Sequence, residues 1–214
     1  MSWIKTISFE EAKGPLRTAY KRIVGPNGHI DNIMALHALR PHTLDGHMRL
    51  YKNVLHHSGN SLPKWWLETL GTYASMLNRC EYCVEHHFMG LKRLLNDDER
   101  STTIRRTLES RVQVASITTD TVATNPRNAF SPKEETVLDY VRLLTLTPWE
   151  ITEYHISAMR ESGYSDGEIL EINQVTAYFA YANRTVLGLG CTTDGDILGL
   201  SPGESGDPNN WSHA

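Results

Sequence analysis

The sequence predicts an all-α fold, on three observations. Apolar residues recur at helical spacing along most of the chain, no segment alternates with period two, and three hydroxyl residues are each followed three positions later by a carboxylate. Residues 10–23, 31–39, 43–57 and 63–77 read as helices, separated by Gly25-Pro26-Asn27-Gly28, Arg40-Pro41 and Gly59-Asn60, where glycine freedom and the missing proline N–H end regular structure. The fourth carries a buried stripe of Leu67, Leu70, Ala74 and Leu77. A further helix begins near Asn78, with Asn78 and Glu81 as its expected capping box. Residues 97–118 are polar and helical in part, and residues 119–130 read as a loop.

Three late helices carry explicit start marks. Ser131-Pro132-Lys133-Glu134, Thr147-Pro148-Trp149-Glu150 and Ser165-Asp166-Gly167-Glu168 are capping-box sequences, and the first two place proline at the first helical position, where no N–H is needed. The first helix carries Val137, Leu138, Val141 and Leu144, while the second ends at Gly163. The third, from about residue 167 to 187, has the longest apolar stripe, with Ile169, Ile172, Val175, Phe179, Ala182 and Val186 on one face. It is expected at the centre of the core. After Gly190 the pattern stops, so the chain divides into a helical domain at 1–190 and a tail at 191–214, extended or docked on a neighbouring subunit. Tyr73, Asn78 and Arg79 recur as Tyr178, Asn183 and Arg184, as a duplicated helical hairpin would produce.

Bulk properties narrow the function. A chain of 214 residues buries a substantial core as one domain with a tail, and a net charge of −4 with both signs interspersed argues against nucleic acid as a partner. There is no apolar run long enough for a bilayer and no signal-peptide stretch behind Met1-Ser2-Trp3-Ile4-Lys5, so the expected location is cytoplasmic. With three cysteines, a disulfide-stapled framework is not expected, and Cys191 is the odd one out.

Cys80 and Cys83 carry the chemistry. On a helix, residues 80, 83 and 87 lie at i, i+3 and i+7, so both sulfurs and the His87 imidazole share a stripe, and Cα atoms three apart fall at roughly 5 to 5.5 Å, inside the disulfide window. A first-turn position favours Cys80 as the more acidic thiol, whereas His87 four residues on favours Cys83, and spacing does not decide between them. Glu68, on the preceding helix, heads a small or polar face with Gly71, Thr72 and Ser75 and is placed to orient His87. Taken alone, Glu68 reads as a solvated carboxylate and His86 as a surface residue. His37, His42, His47, His56 and His57 have no partner pattern and default to structural roles. Trp65 and Trp66 read as core or interface. Zinc on Cys80, Cys83, His86 and His87 is disfavoured, because adjacent helical residues point about 100° apart.

Glu68, then Cys80, Cys83 and His87, resembles the glutamate, Cys-x-x-Cys, x-x-x-His signature of the AhpD-like alkylhydroperoxidases within the carboxymuconolactone decarboxylase superfamily. Pro15 within residues 10–20, the Arg40-Pro41-His42 turn, Ser131-Pro132-Lys133-Glu134 and Tyr178-Phe179-Ala180-Tyr181-Ala182-Asn183-Arg184 followed by Gly188 look like its peroxidase-related branch. The resemblance covers most of residues 1–190 and implies an AhpD-like helical bundle forming homo-oligomers, trimers or hexamers. It further implies that Cys83 attacks peroxide, Cys80 resolves, and His87 and Glu68 relay the proton, with an external dithiol or protein reductant and no haem, flavin or metal cofactor. Where some members carry a histidine before the second cysteine, this chain has Tyr82. The other readings are a dithiol-disulfide oxidoreductase or sensor, a decarboxylase or lactone-processing enzyme of the same superfamily, and a zinc-bound interaction module.

Overall fold

The computed structural model describes residues 2–116 and 129–200. Within them lie the helices α1 (Gly14–Ile23), α2 (Asn32–Ala35), α3 (Pro41–Leu55), α4 (Lys64–Leu77), α5 (Glu81–Leu95), α6 (Asp98–Ser116), α7 (Pro132–Leu146), α8 (Glu153–Glu161) and α9 (Asp166–Leu189). Short 3-10 turns at Pro26–Gly28 and Pro148–Glu150 complete the regular structure, and the described residues contain no β-strand. None of the described helices is long and apolar enough to cross a membrane.

Helix α4 is the hub, packing against α3, α5, α6, α7 and α9. Trp66, Leu67, Leu70, Tyr73, Ala74 and Leu77 are buried, and so is the opposite face with Glu68, Thr69, Thr72 and Ser75. A helix buried all round must satisfy its polar side chains internally. Thr69 and Thr72 do so by donating to the carbonyls of Trp65 and Glu68, both at 2.8 Å. Gly71 lets α9 approach closely: a Cβ there would fall inside the Phe179 ring. The apolar stripe of α9 is buried from Ile169 to Val186 as the periodicity predicts, each large side chain contributing about 1.5–3 kcal/mol on burial.

Two of the three capping boxes form. Ser131 and Ser165 accept from the N–H groups of Glu134 and Glu168, whose carboxylates accept the serine N–H groups at 2.8 Å. The third differs. Thr147 donates to Glu150 at 2.8 Å, but only a 3-10 turn follows, and the helix proper starts at Glu153 with Thr152 and His155 as its caps. Ile151 adopts extended backbone there, breaking the helix expected to run on from Pro148. Residues 97–118, read as helical in part, are continuous helix to Ser116; most of the expected loop at 119–130 lies outside the described residues. Residues 31–39 form only one turn of α-helix, Asn32–Ala35, before further turns.

After Gly190, in the left-handed region at φ 63°, the chain folds back on itself rather than extending. Asp196 accepts from the backbone N–H of Asn32, and Arg93 of α5 donates to the Gly199 carbonyl at 2.7 Å. The described part of the expected tail therefore docks on its own chain; residues 201–214 lie outside the described residues.

Gly71→Ala is expected to lower unfolding stability by about 1–3 kcal/mol in urea denaturation, because the α4–α9 approach has no room for a methyl group. Adding Phe179→Leu should recover part of that loss.

Candidate active site

Three helices meet at the two cysteines, and the short link from α4 to α5 sets their geometry. Arg79 sits in the left-handed region at φ 57°, which costs a non-glycine residue roughly 1–2 kcal/mol and reverses the chain in a single residue. The Cys80 N–H then donates to the Ser75 carbonyl at 2.9 Å, and α5 starts at Glu81 with Cys80 as its N-cap. The expected Asn78–Glu81 capping box is absent. Asn78 instead donates its side-chain amide to Asn183 Oδ1 of α9 at 2.9 Å. Cys80 is thereby drawn out of the first helical turn and completely buried, while Cys83 lies in the wall of a cavity.

Glu68 is 2% exposed, not solvated as expected from its sequence context alone. Its Oε2 lies 2.7 Å from His87 Nδ1 on α5, so the carboxylate meets the imidazole it was expected to orient. With the Nδ1 proton donated to Glu68, the Nε2 lone pair is available as a base. His56, beyond the C-terminus of α3, approaches Glu68 from the other side, its Nε2 3.8 Å from Oε1. Burial holds the His56 pKa well below the usual histidine value, aided by nearby cations, so it stands there neutral.

The two thiols are free and unequal. Cys80 is held below the ordinary thiol pKa, chiefly because Cys83 donates a hydrogen bond to it, with burial opposing and Asn183 assisting. Cys83 is pushed well above the ordinary value by that same bond and then by burial. Asn183 favours the thiolate form of both cysteines, while its Nδ2 donates to Ser75 Oγ at 3.0 Å and its Oδ1 accepts from Asn78. Cys80 is therefore the more acidic of the two thiols, although Cys83 is the sulfur that faces the cavity.

The cavity is small, about 50 Å³. Apolar side chains including Ile23, Ile33, Met34 and Met48 line it together with Glu68, Cys83, His87 and Tyr178. Its far wall is polar. Tyr82, stacked on His86 with ring centroids 4.5 Å apart, donates to Asp196 at 2.7 Å and accepts from the Ile33 N–H at 3.1 Å. His86 is buried rather than on the surface, its Nε2 3.2 Å from Asp196. Gly199 and Leu200 also line the cavity, so the folded-back tail forms part of it.

Sequence reasoning located Glu68, Cys80, Cys83 and His87, and the fold brings the four together around α4 and α5. It gave no site role to Asn183, Tyr178 or Asp196; the recurrence of Tyr73 and Asn78 as Tyr178 and Asn183 was the signal for the first two, and the two asparagines bond each other. His37 and His47 are buried in a polar chain ending on Tyr178. The nominal zinc set of Cys80, Cys83, His86 and His87 is not assembled, since His86 turns to Asp196 and His87 to Glu68; among the described residues, the group close enough to hold a metal ion is His29, Asp31 and Asp196.

A peroxidase-related protein from Ralstonia eutropha, described as an alkylhydroperoxidase AhpD core, superposes with a TM-score of 0.70 at 19% identity, over 91% of this chain and 93% of that one. A peroxidase-related protein from Silicibacter sp. superposes with a TM-score of 0.69 at 19% identity, over 89% and 93%. The chain has the AhpD-like fold. The debrominase Bmp8 shares this fold with a TM-score of 0.66 at 14% identity, over 89% of this chain and 91% of that one. In sequence, the chain is 22% identical to mouse Sestrin-2 (Mus musculus) over 185 residues and 23% identical to human Sestrin-2 (Homo sapiens) over 176 residues. Those matches take in 85% and 81% of this chain but 34% and 32% of the sestrins, so the chain spans about a third of their length. No protein-family model matches. In this AhpD-like bundle Cys80 and Cys83 sit where α4, α5 and α9 converge.

The hydrogen bond between the sulfurs yields a sign that a titration checks. Thiolate absorbance followed against pH in a Cys191→Ser background should show a first ionisation below the ordinary thiol value, belonging to Cys80. Cys83→Ala removes the donor, so the Cys80 midpoint should move upward.

Proposed function

We propose that the chain is a thiol-dependent alkylhydroperoxide reductase, an enzyme of the carboxymuconolactone decarboxylase superfamily that cycles Cys80 and Cys83 between dithiol and disulfide. The observation that carries this reading is the 2.7 Å Glu68–His87 bond beside Cys83 in a small, mostly apolar cavity. An oriented imidazole and a thiol in an enclosed space suit a reaction that needs a thiolate and then a proton for an alkoxide.

In the first step His87, oriented by Glu68, takes one proton from the cysteine pair. The remaining proton is shared along the Cys83–Cys80 hydrogen bond. As the Cys83 sulfur bonds to the distal oxygen of the hydroperoxide and the O–O bond breaks, that proton passes to Cys80. The alkoxide takes the proton held on His87 and leaves as an alcohol, and Cys83 becomes a sulfenic acid. Cys80 then displaces the sulfenic hydroxyl as water, forming the disulfide, and an external dithiol or a protein reductant returns the pair to thiols. The steps draw on side chains and reductant alone. This scheme keeps Cys83 as the attacking sulfur although Cys80 is the more acidic thiol, because proton transfer between the two sulfurs exchanges their roles.

A homo-oligomer, trimer or hexamer, accompanies this reading, as does a cytoplasmic location. Bmp8 lends weight to a second reading of the pocket, since a cysteine-to-alanine variant of that debrominase has been crystallised with 2,3,4-tribromopyrrole. The fold thus leaves open other cavity substrates besides peroxides. A disulfide oxidoreductase would act on disulfides faster than on hydroperoxides, and a decarboxylase or lactone-processing enzyme would keep its activity after both cysteines are alkylated.

A stoichiometric pulse of tert-butyl hydroperoxide should convert the reduced protein to the Cys80–Cys83 disulfide, read by peptide mass spectrometry. Cys83→Ser should abolish turnover with a dithiol reductant, and full activity in that variant would end this reading. Glu68→Gln should lower the rate of thiol oxidation roughly 10²-fold, as loss of an oriented general base does.

A further inference from the structure

A chain of hydrogen bonds runs from the protein surface to the cavity, and its polarity follows from one anchored hydroxyl. Thr43 donates its only hydroxyl proton to the Arg40 carbonyl at 2.8 Å. Its oxygen must then accept at the 2.7 Å contact with His37 Nδ1, which places the His37 proton on that nitrogen. A neutral His37 has only a lone pair left on Nε2, so at 3.0 Å it accepts from His47 Nδ1–H. His47 in turn has only a lone pair on Nε2, so at 3.0 Å it accepts from the Tyr178 hydroxyl. Both imidazoles meet the condition of neutrality: burial holds His37 below the usual histidine pKa and, with the neighbouring ring, brings His47 down to about 3.

Tyr178 lines the cavity with Cys83, Glu68 and His87. Its phenol proton is committed to His47, so what its oxygen can offer the cavity is a lone pair. Tyr82 and His86 on the far wall are committed to the Asp196 network. Glu68 Oε2 is committed to His87. Tyr178 is thus a fixed acceptor in the wall of the cavity that Cys83 also lines.

We propose that Tyr178 orients the hydroperoxide by accepting a hydrogen bond from its O–H, holding the distal oxygen against Cys83, and that His47 and His37 are positioning residues that keep the phenol an acceptor. This rests on the hydroperoxide reading and adds the substrate feature recognised: a protic oxygen at the atom under attack. The step balances without any further reactant. The distal oxygen keeps its hydrogen while the S–O bond forms and the O–O bond breaks, the alkoxide takes its proton from His87, and the same O–H, now that of the sulfenic acid, still donates to Tyr178.

The test compares two small electrophiles on the reduced protein: tert-butyl hydroperoxide, which carries an O–H, and methyl methanethiosulfonate, which does not. Tyr178→Phe should slow the reaction of Cys83 with the hydroperoxide about tenfold, the worth of one hydrogen bond of roughly 1.4 kcal/mol, and leave the thiosulfonate rate within about twofold. Because the phenylalanine leaves His47 Nε2 without its donor and can weaken the fold, fluorotyrosine at position 178 is the second variant. Fluorine makes the phenol oxygen a poorer acceptor and its proton a better donor, so the hydroperoxide rate should fall. A rise would mean that the phenol donates to substrate, which overturns the inference, as would equal losses with both electrophiles or no change with either variant. A wild-type protein inert to hydroperoxide would instead defeat the peroxidase reading itself, a result visible before any variant is made.

Discussion

The structure depends on a carboxylate that has been taken out of water. Burying an unpaired carboxylate costs several kcal/mol, and Glu68 is tolerable inside α4 only because His87 meets its Oε2 at 2.7 Å. That requirement holds α5 against α4 in one register. Gly90, one turn beyond His87, leaves the carboxylate group in ordinary contact range of α5. The reversal at Arg79 that permits this register also withdraws Cys80 from the helix and leaves Cys83 at the cavity. A single buried hydrogen bond to a carboxylate thus links the helical packing to the arrangement of the thiols.

The thiols show how a tertiary contact overrides a local one. A helix terminus and a neighbouring base are both ways of making a thiolate, and they point to different cysteines. Neither is the largest influence in the folded protein. The Cys83 thiol favours the Cys80 thiolate and Asn183 from α9 favours ionisation of both, so the first proton leaves more readily from Cys80. Asn183 is itself held by Asn78 and Ser75, both belonging to the α4–α5 junction. The asparagine repeat is therefore a bridge between the helix that carries the site and the helix that supports it.

Polar groups elsewhere around the cavity are used in the same economical way. Asp196 satisfies the N–H of Asn32, the phenol of Tyr82 and the ring of His86 at once, which closes the far wall with a segment whose composition resembles a loose tail. Three histidines without any spacing pattern, at 37, 47 and 56, are buried and neutral. Two of them extend from Thr43 to Tyr178, and the third backs Glu68. An apolar cavity of this size leaves little room for water, so the directions of these bonds decide what a bound molecule meets.

Much of the fold was legible in the chain itself, because helix signals are local. Capping boxes at Ser131 and Ser165 and the stripe from Ile169 to Val186 act within a few residues of themselves and appear where expected. The similar box at Thr147 failed because Ile151 turns extended four residues later, a choice made by packing. For the site, helical periodicity set Cys83 and His87 on one face of α5 with Cys80 just before it, and marked the polar face of α4 headed by Glu68; the meeting of that carboxylate with His87 is a contact between helices. Only the tertiary structure decided which thiol is acidic, which sulfur faces the cavity and which residues complete its walls. Those outcomes depend on burial and on hydrogen bonds between residues more than a hundred positions apart, such as Asn78 with Asn183 and Tyr82 with Asp196, and no local pattern encodes them.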